Sequence, residues 1–376
     1  MSAIPRGVVE LLRHLVRIPS VNPAGNPGTD GIGEQRCAEA IAEFLEACGA
    51  RVEIQKVKPG RPNVVGMFPS ASSARGAKKR IVLAPHTDTV SVAGMTIDPF
   101  GAELIDGKIY GRGASDTKGP MAAMLWALHE MRERLPLLEH EICFAGLMGE
   151  EAGQDGARDF VTRFEAGFAL VGEPTDLKIV HVHKGSTWMK LTSRGRACHA
   201  SAPEQGENAI YKMADLIRCI RDEIVPELRT HFDPVLGAAT ASVGMCAGGS
   251  KANIVPDICE AQVDFRTLPS QSAEGFLAWV SERLRRVDPD VEIEAIQSKP
   301  LFTDPAHPMV RALEKAGGRC GGASWFCDAA VFSEAGIPAV AAGPGSILQA
   351  HTEDEWIAVE DLERGVAFYR SFLENC

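Results

Sequence analysis

No uninterrupted apolar run reaches the roughly 18 residues that a membrane-spanning helix requires, so no span is expected. The start, Met1-Ser2-Ala3-Ile4-Pro5-Arg6, leads into a segment broken by Glu10, Arg13, His14 and Arg17 and has none of the apolar core of a secretory leader. None of the 10 cysteines forms a C-x-x-C pair, and several stand inside apolar strands or helices. They read as buried thiols in a reducing compartment rather than as a disulfide framework, which makes the cytoplasm the expected location. Basic residues are outnumbered, 39 Lys and Arg against 50 Asp and Glu, and the resulting net charge of -11 disfavours nucleic acid or an anionic membrane as the main partner. Aromatic residues are scarce at 6%, but 45% hydrophobic and 24% charged content describe an ordinary α/β protein, not a disordered or collagenous chain. The 376 residues predict two or three domains on a prior of about 150 residues each.

What the chain does have is centred on 80–119. An apolar strand, Ile81-Val82-Leu83-Ala84, runs into His86-Thr87-Asp88, and Gly111-Arg112-Gly113-Ala114-Ser115-Asp116 follows after a turn-rich stretch. Residues two apart in a period-2 element point the same way, so the Asp88 carboxylate is placed to orient the His86 ring, as a group behind a metal ligand does. Asp116 comes after a glycine-rich turn and just before a helix expected from Pro120 to about Leu135, where apolar packing does not hide its carboxylate. The pattern repeats downstream. A strand 141–147 ends on Gly149-Glu150-Glu151-Ala152-Gly153, and Phe168-Ala169-Leu170-Val171 delivers Gly172-Glu173-Pro174-Thr175. Acids collecting at the carboxyl ends of strands match the binding crevice of an open α/β sheet.

In order, helices are expected at 5–17 and 34–48, strands at 51–57 and 63–68, and a polar loop at 69–79. From about Gly185 the pattern becomes strand 187–193, helix 207–224, strands 239–247 and 257–266, helix 273–286 and strand 291–297, a βαββαβ unit of ferredoxin-like type. This predicts an α/β protein with a catalytic domain from 1–184 and 298–376 and an inserted domain over 185–297. The chain returns with a helix near 308–316, a strand 338–342, the turn Gly343-Pro344-Gly345-Ser346, His351 and a last helix 359–373.

His86, Asp116, Glu151, Glu173 and His351 are imidazoles and carboxylates, a donor set suited to Zn²⁺, Co²⁺ or Mn²⁺. With one carboxylate bridging, they hold two divalent metal ions and leave Glu150 free as general base on a metal-bound water. Any one of them alone reads as an ordinary turn residue; the shared placement at strand ends and glycine turns argues for the cluster.

These residues, together with Ile18-Pro19-Ser20-Val21-Asn22-Pro23, His86-Thr87-Asp88-Thr89, Asp116-Thr117-Lys118-Gly119 and Gln349-Ala350-His351-Thr352-Glu353-Asp354-Glu355, resemble the acetylornithine deacetylase / succinyl-diaminopimelate desuccinylase / carboxypeptidase G family of two-metal amidohydrolases and peptidases. The resemblance spans essentially the whole chain. It implies a zinc-peptidase-like catalytic domain with a central mixed sheet flanked by helices, and a role for the inserted domain in dimerisation or as a lid. It also implies one metal on His86 and Glu173, the other on Glu151 and His351, Asp116 bridging, Asp88 behind His86 and Glu150 as base. By the same resemblance, His199 reaches the partner subunit's active site in a homodimer and steadies the oxyanion, while Asn253 and Arg266 grip the substrate α-carboxylate. Gly343 opens a turn that adds backbone N–H donors for the substrate, although a structural glycine turn explains it nearly as well.

His181 and His183 read better as exposed histidines at a strand end than as ligands, and Lys118 is given no role. Trp325 and Phe326 stand where the deacetylases carry smaller or more polar residues; lining the pocket, they favour an apolar or large side chain or acyl group. The leading reading is a deacylase of N-acyl amino acids. A desuccinylase or a carboxy- or dipeptidase on the same scaffold is the alternative, with a short peptide as substrate. A non-catalytic binding protein is the reading from another class, and a free base beside the metals argues against it.

Overall fold

A computed structural model describes residues 5–24, 32–70 and 80–376. Residues 71–79 of the expected polar loop lie outside the described residues. The chain divides into two compact units: the first is Met1–His181, Thr303–Gly321 and Cys327–Cys376, the second Val182–Phe302 and Gly322–Phe326. Limits at 185 and 297 leave 182–184, 298–302 and 322–326 out of the second unit, because short strands carry the chain back and forth at both crossings.

In the first unit, α1 (Val8–Val16) buries Val8, Leu11, Leu12, Leu15 and Val16, a helical stripe at i, i+3, i+4 and i+7. α2 (Gln35–Ala47) ends before Gly49, which takes the left-handed φ of 88° that a helix stop needs. β1 (Arg51–Lys58), β2 (Arg61–Phe68) and β3 (Arg80–Ala84) precede two three-residue strands, β4 (Glu103–Ile105) and β5 (Lys108–Tyr110). α3 (Lys118–Met131) is apolar on nearly every side and is buried accordingly. β6 (Glu141–Gly146), α4 (Asp155–Arg163), β7 (Phe168–Val171) and β8 (Lys178–His183) follow.

The second unit begins with β9 (Gly185–Arg194) and α5 (Ala209–Cys219), which continues through a π-turn at Ile220–Ile224 into α6 (Val225–Leu228). A small hairpin, β10 (Phe232–Asp233) and β11 (Gly237–Ala238), precedes β12 (Thr240–Gly248), β13 (Ile258–Thr267), α7 (Ala273–Val287), β14 (Glu292–Ser298) and β15 (Leu301–Phe302). The chain then forms α8 (Pro308–Lys315), β16 (Arg319–Ala323), α9 (Ala329–Glu334), β17 (Ala339–Ala341), β18 (Trp356–Ala358) and α10 (Val359–Asn375).

The central sheet is mixed and runs β1-β2-β6-β3-β7-β17-β8. β3 is parallel to β6 and β7, and β17 is parallel to β7, whereas β1–β2, β2–β6 and β17–β8 are antiparallel. The parallel centre is covered on both faces, which is why β3, β7 and β17 are almost purely apolar and buried. The second unit has an antiparallel sheet in the order β12-β13-β9-β14. Met189, Leu191, Val263 and Phe265 alternate inward against Met213, Leu216, Phe276, Val280 and Leu284 of α5 and α7. The opposite face leaves Trp188, Met245 and Ile296 more than half exposed.

The sequence reading lacks β18, β5 and β4, which form a separate three-stranded sheet. Three residues are too few to show a period, and Trp356 lies opposite Tyr110 only through long-range pairing. Among the described residues, no helix is long and apolar enough to cross a membrane.

Candidate active site

The parallel strands β3 and β6 end side by side, and an isolated parallel bridge pairs His86 with Leu147 beyond them. His86 is buried, with Nδ1 3.0 Å from the backbone carbonyl of Asp88. Nε2 faces Asp116, 3.1 Å from Oδ1. The Asp88 carboxylate is farther from the ring, with Oδ1 at 3.4 Å. Its hydrogen bonds go mostly elsewhere: Gly149 N and Glu150 N donate to Oδ1 at 3.0 and 3.1 Å, and Glu151 N and Asn22 Nδ2 donate to Oδ2 at 3.1 and 2.7 Å. Asp88 therefore orders the Gly149–Glu151 loop, while its carbonyl is the closer partner of the ring.

The Asp116 oxygens diverge. Oδ1 faces His86, and Oδ2 lies 3.4 Å from His351 Nε2, which also sits 3.1 Å from Glu151 Oε2. Ligand atoms of His86, Asp116 and Glu151 fall within 4.8 Å of one another. Glu173, at the exit of β7, is buried and its Oε1 has no hydrogen-bond partner. Glu150 is outside the three-residue cluster.

The electrostatics show why this site fits divalent cations. Burial, reinforced by Glu173, Asp328 and Glu151, holds Glu150 well above the usual carboxylate range, and burial with Asp116, Asp328 and Glu151 does the same to Glu173. So many buried carboxylates do not ionise together without positive charge among them. Asp116, and then Glu151, push the His351 imidazole up to about 10, as two carboxylates facing one ring do. Hard oxygen donors and imidazole nitrogens match a borderline divalent metal, and Glu173 Oε1 supplies a donor with no hydrogen-bond partner among the described residues.

The remaining sequence candidates fare differently. Gly343 N already donates to Thr175 Oγ1 at 3.1 Å, and its carbonyl accepts from Thr175 N and Leu177 N at 3.2 and 2.9 Å, so its N–H is not free for a substrate. A Cβ there would lie 2.7 Å from the Glu173 carbonyl oxygen, so glycine is required for close approach to the strand end that carries Glu173. His181 and His183 are buried, not exposed; each donates from Nδ1 to a carbonyl, of Thr303 and Lys184 respectively, at 2.9 Å. Lys118 is buried and donates to the carbonyls of Leu15 and Ile18 at 3.1 and 2.7 Å, tying α1 to α3.

In the second unit, His199 is exposed with Nδ1 2.7 Å from Ser201 Oγ, and it is bridged to Ile254, next to exposed Asn253. Arg266 pairs with Asp264, Nη2 to Oδ2 at 3.0 Å. It stands at the far end of β13, eight residues from Ile258, or about 26 Å at the rise of an extended strand. Asn253 lies in the loop that precedes the opposite, Ile258 end of that strand.

Two residues escaped the sequence reading. Asp328, in the apolar stretch Phe326-Cys327-Asp328-Ala329-Ala330, is 1% exposed, and burial raises it to about 7. Glu355, close after His351, is buried with its carboxylate against the loop that carries Asp116. An acid within an apolar run was the available signal for Asp328; for Glu355 there was only its nearness to His351.

Fold and site define a metal-dependent hydrolase of amide bonds. The chain belongs to the peptidase family M20/M25/M40, which matches residues 82–375. It is 31% identical over 380 residues to the acetylornithine deacetylase of Proteus mirabilis strain HI4320, covering 98% of this chain and 96% of that protein. Among solved structures, the M20 family metallo-carboxypeptidase Sso-CP2 of Sulfolobus solfataricus superposes with a TM-score of 0.80 at 20% identity, covering 99% of both chains. The YxeP protein of Bacillus subtilis, described as a dinuclear metal-binding M20 peptidase, has a TM-score of 0.67 at 16% identity over 98% of both chains.

Proposed function

We propose that the protein deacylates N-acyl amino acids, in the manner of the acetylornithine deacetylase it is similar to. The observation that carries this is the convergence of His86, Asp116, Glu151 and His351, with buried Glu173 at the exit of β7 and Glu150 next to Glu151 in the loop that Asp88 holds. His86 and Glu173 would hold one metal, Glu151 and His351 the other, and Asp116 would bridge. Two divalent cations, most simply Zn²⁺ with Co²⁺ or Mn²⁺ as substitutes, supply Lewis acidity to the amide carbonyl and acidify the attacking water. Glu150 takes the proton from that water and returns it to the departing amine nitrogen. Asp88 holds the Glu150 backbone through the hydrogen bond to its N–H, so the base keeps its position as the charge develops.

Arg266 receives the substrate α-carboxylate. Arg266 lies near one end of β13 and Asn253 in the loop before its other end, which supports a homodimer through the inserted domain: the partner subunit's Asn253 and the partner subunit's His199 complete the site, the imidazole donating to the oxyanion. β12 is an uncharged edge strand, whereas the other edge, β14, carries Glu292 and Glu294, so β12 is the edge suited to pair with a second copy.

A panel of N-acetyl, N-succinyl and aminoacyl amides, run with Zn²⁺, Co²⁺ and Mn²⁺ in turn on chelated enzyme, tests the reading. Metal-dependent release of free amino acid from N-acetyl substrates is the expected result. Turnover confined to aminoacyl amides would make the protein a peptidase instead.

A further inference from the structure

Glu355 is wholly buried and ends the approach to β18. The pairing of Trp356 with Tyr110 is extended by one step, Gly111 N donating to the Glu355 carbonyl at 2.9 Å, and this register turns the Glu355 side chain into the Gly111–Asp116 loop. There its carboxylate collects four donors. Ser115 N and Asp116 N donate to Oε1, both at 2.9 Å, and Gly113 N and Arg112 Nη1 donate to Oε2 at 3.1 and 2.7 Å. Arg112 balances the charge and is itself held by the Ser91 carbonyl, to which Nε donates at 3.1 Å. A loop whose N–H groups converge on one buried anion has its backbone set by that anion.

We propose that Glu355 is the positioning residue for the metal-bridging carboxylate, and that it couples Asp116 to His351. The proposal rests on the metal reading above. Oε1 takes the N–H of Asp116 itself, so the direction in which the Asp116 oxygens diverge, one to His86 and one to His351, follows from where Glu355 sits. His351 belongs to the same short segment, in a left-handed turn at φ 64°. One side chain thus joins the two stretches that supply ligands to opposite sides of the site. A glutamine would set an NH₂ group against the Gly113 N–H or the Arg112 guanidinium, donor against donor. An aspartate would keep the charge and fall one methylene short.

The test is titration of chelated, folded protein with Co²⁺, followed by calorimetry and by the visible absorption of bound Co²⁺. Wild type is expected to take two equivalents. Glu355→Gln is expected to bind at least one of them 10- to 100-fold more weakly, the range assigned to partners of metal ligands, with an altered visible band. Should that variant not fold, Glu355→Asp and Arg112→Lys are expected to show the same weakening. Losses in His351→Ala and Glu355→Gln should combine to less than their sum in the double variant, since both disable one device. Wild-type affinity and spectrum in the folded variants overturn the positioning role, and additive losses overturn the coupling. Failure of wild type to bind two equivalents would overturn the metal reading itself.

Discussion

The two units keep most of their candidate residues in opposite conditions, the exposed His351 of the first unit excepted. In the first, His86, Asp88, Asp116 and Glu173 are buried, and the loops around them are tied by hydrogen bonds to groups that do no chemistry themselves. In the second, His199 and Asn253 are exposed and Arg266 is half-buried with one carboxylate partner. A metal cluster must be rigid before the metal arrives, because misplaced donors weaken it, whereas residues that meet a substrate or a second subunit gain their partners only on association. The first unit therefore gathers its candidate ligands within one chain, whereas the candidates of the second unit stand open to further partners.

The sharpest way to break this contrast is Glu150→Gln. If the first unit holds the base in a preformed site, kcat falls by about 10² to 10⁴ or more while both metals and substrate affinity persist; loss of a metal, read by elemental analysis, would make Glu150 a ligand. Next in size is stability. Arg61 and Glu34 form a buried pair at 2.6 Å, with side chains 8% and 0% exposed. Arg61→Ala should cost about 3–5 kcal/mol in a denaturant melt, because it strands a buried carboxylate. Cutting the second unit's exposed Arg194–Glu292 pair by Arg194→Ala should leave the same melt almost unchanged, because water already screens it.

For the residues of the second unit, Arg266→Ala should cost about 1.5–3 kcal/mol in kcat/KM on free-acid substrates and almost nothing on their amides; an equal loss on both would mark it as structural. Mixing Glu150→Ala with His199→Ala sharpens the comparison further. Random exchange makes about half of the dimers mixed, each with one intact site, so roughly a quarter of wild-type activity should return if His199 acts across subunits. No recovery after verified exchange would confine His199 to its own chain.

Hydrophobic period and turn residues suffice for most helices and strands, including the switch to βαββαβ near Gly185, because each long element carries its own buried stripe. The ligand types were legible for the same local reason: acids and histidines placed where apolar strands end. Short elements were not. β4, β5 and β18 have too few residues for any pattern, and their pairing depends on partners far apart in the chain. The sequence also misjudged hydrogen-bond ownership. Gly343 N–H looked available and is taken by Thr175, and His183 looked exposed and lies in the core.

What the sequence by itself determined is the class of chemistry, since five carboxylates and imidazoles repeated at strand ends and glycine turns make a metal's donor set, and the change of pattern near Gly185. Only the tertiary structure decided which group holds which. Asp88 serves the glutamate loop more than the ring beside it, Glu355 accepts from the Asp116 loop, and Arg266 pairs with Asp264. Hydrogen bonds act over about 3 Å between residues that may be far apart in sequence, so no local pattern encodes them until the chain has folded.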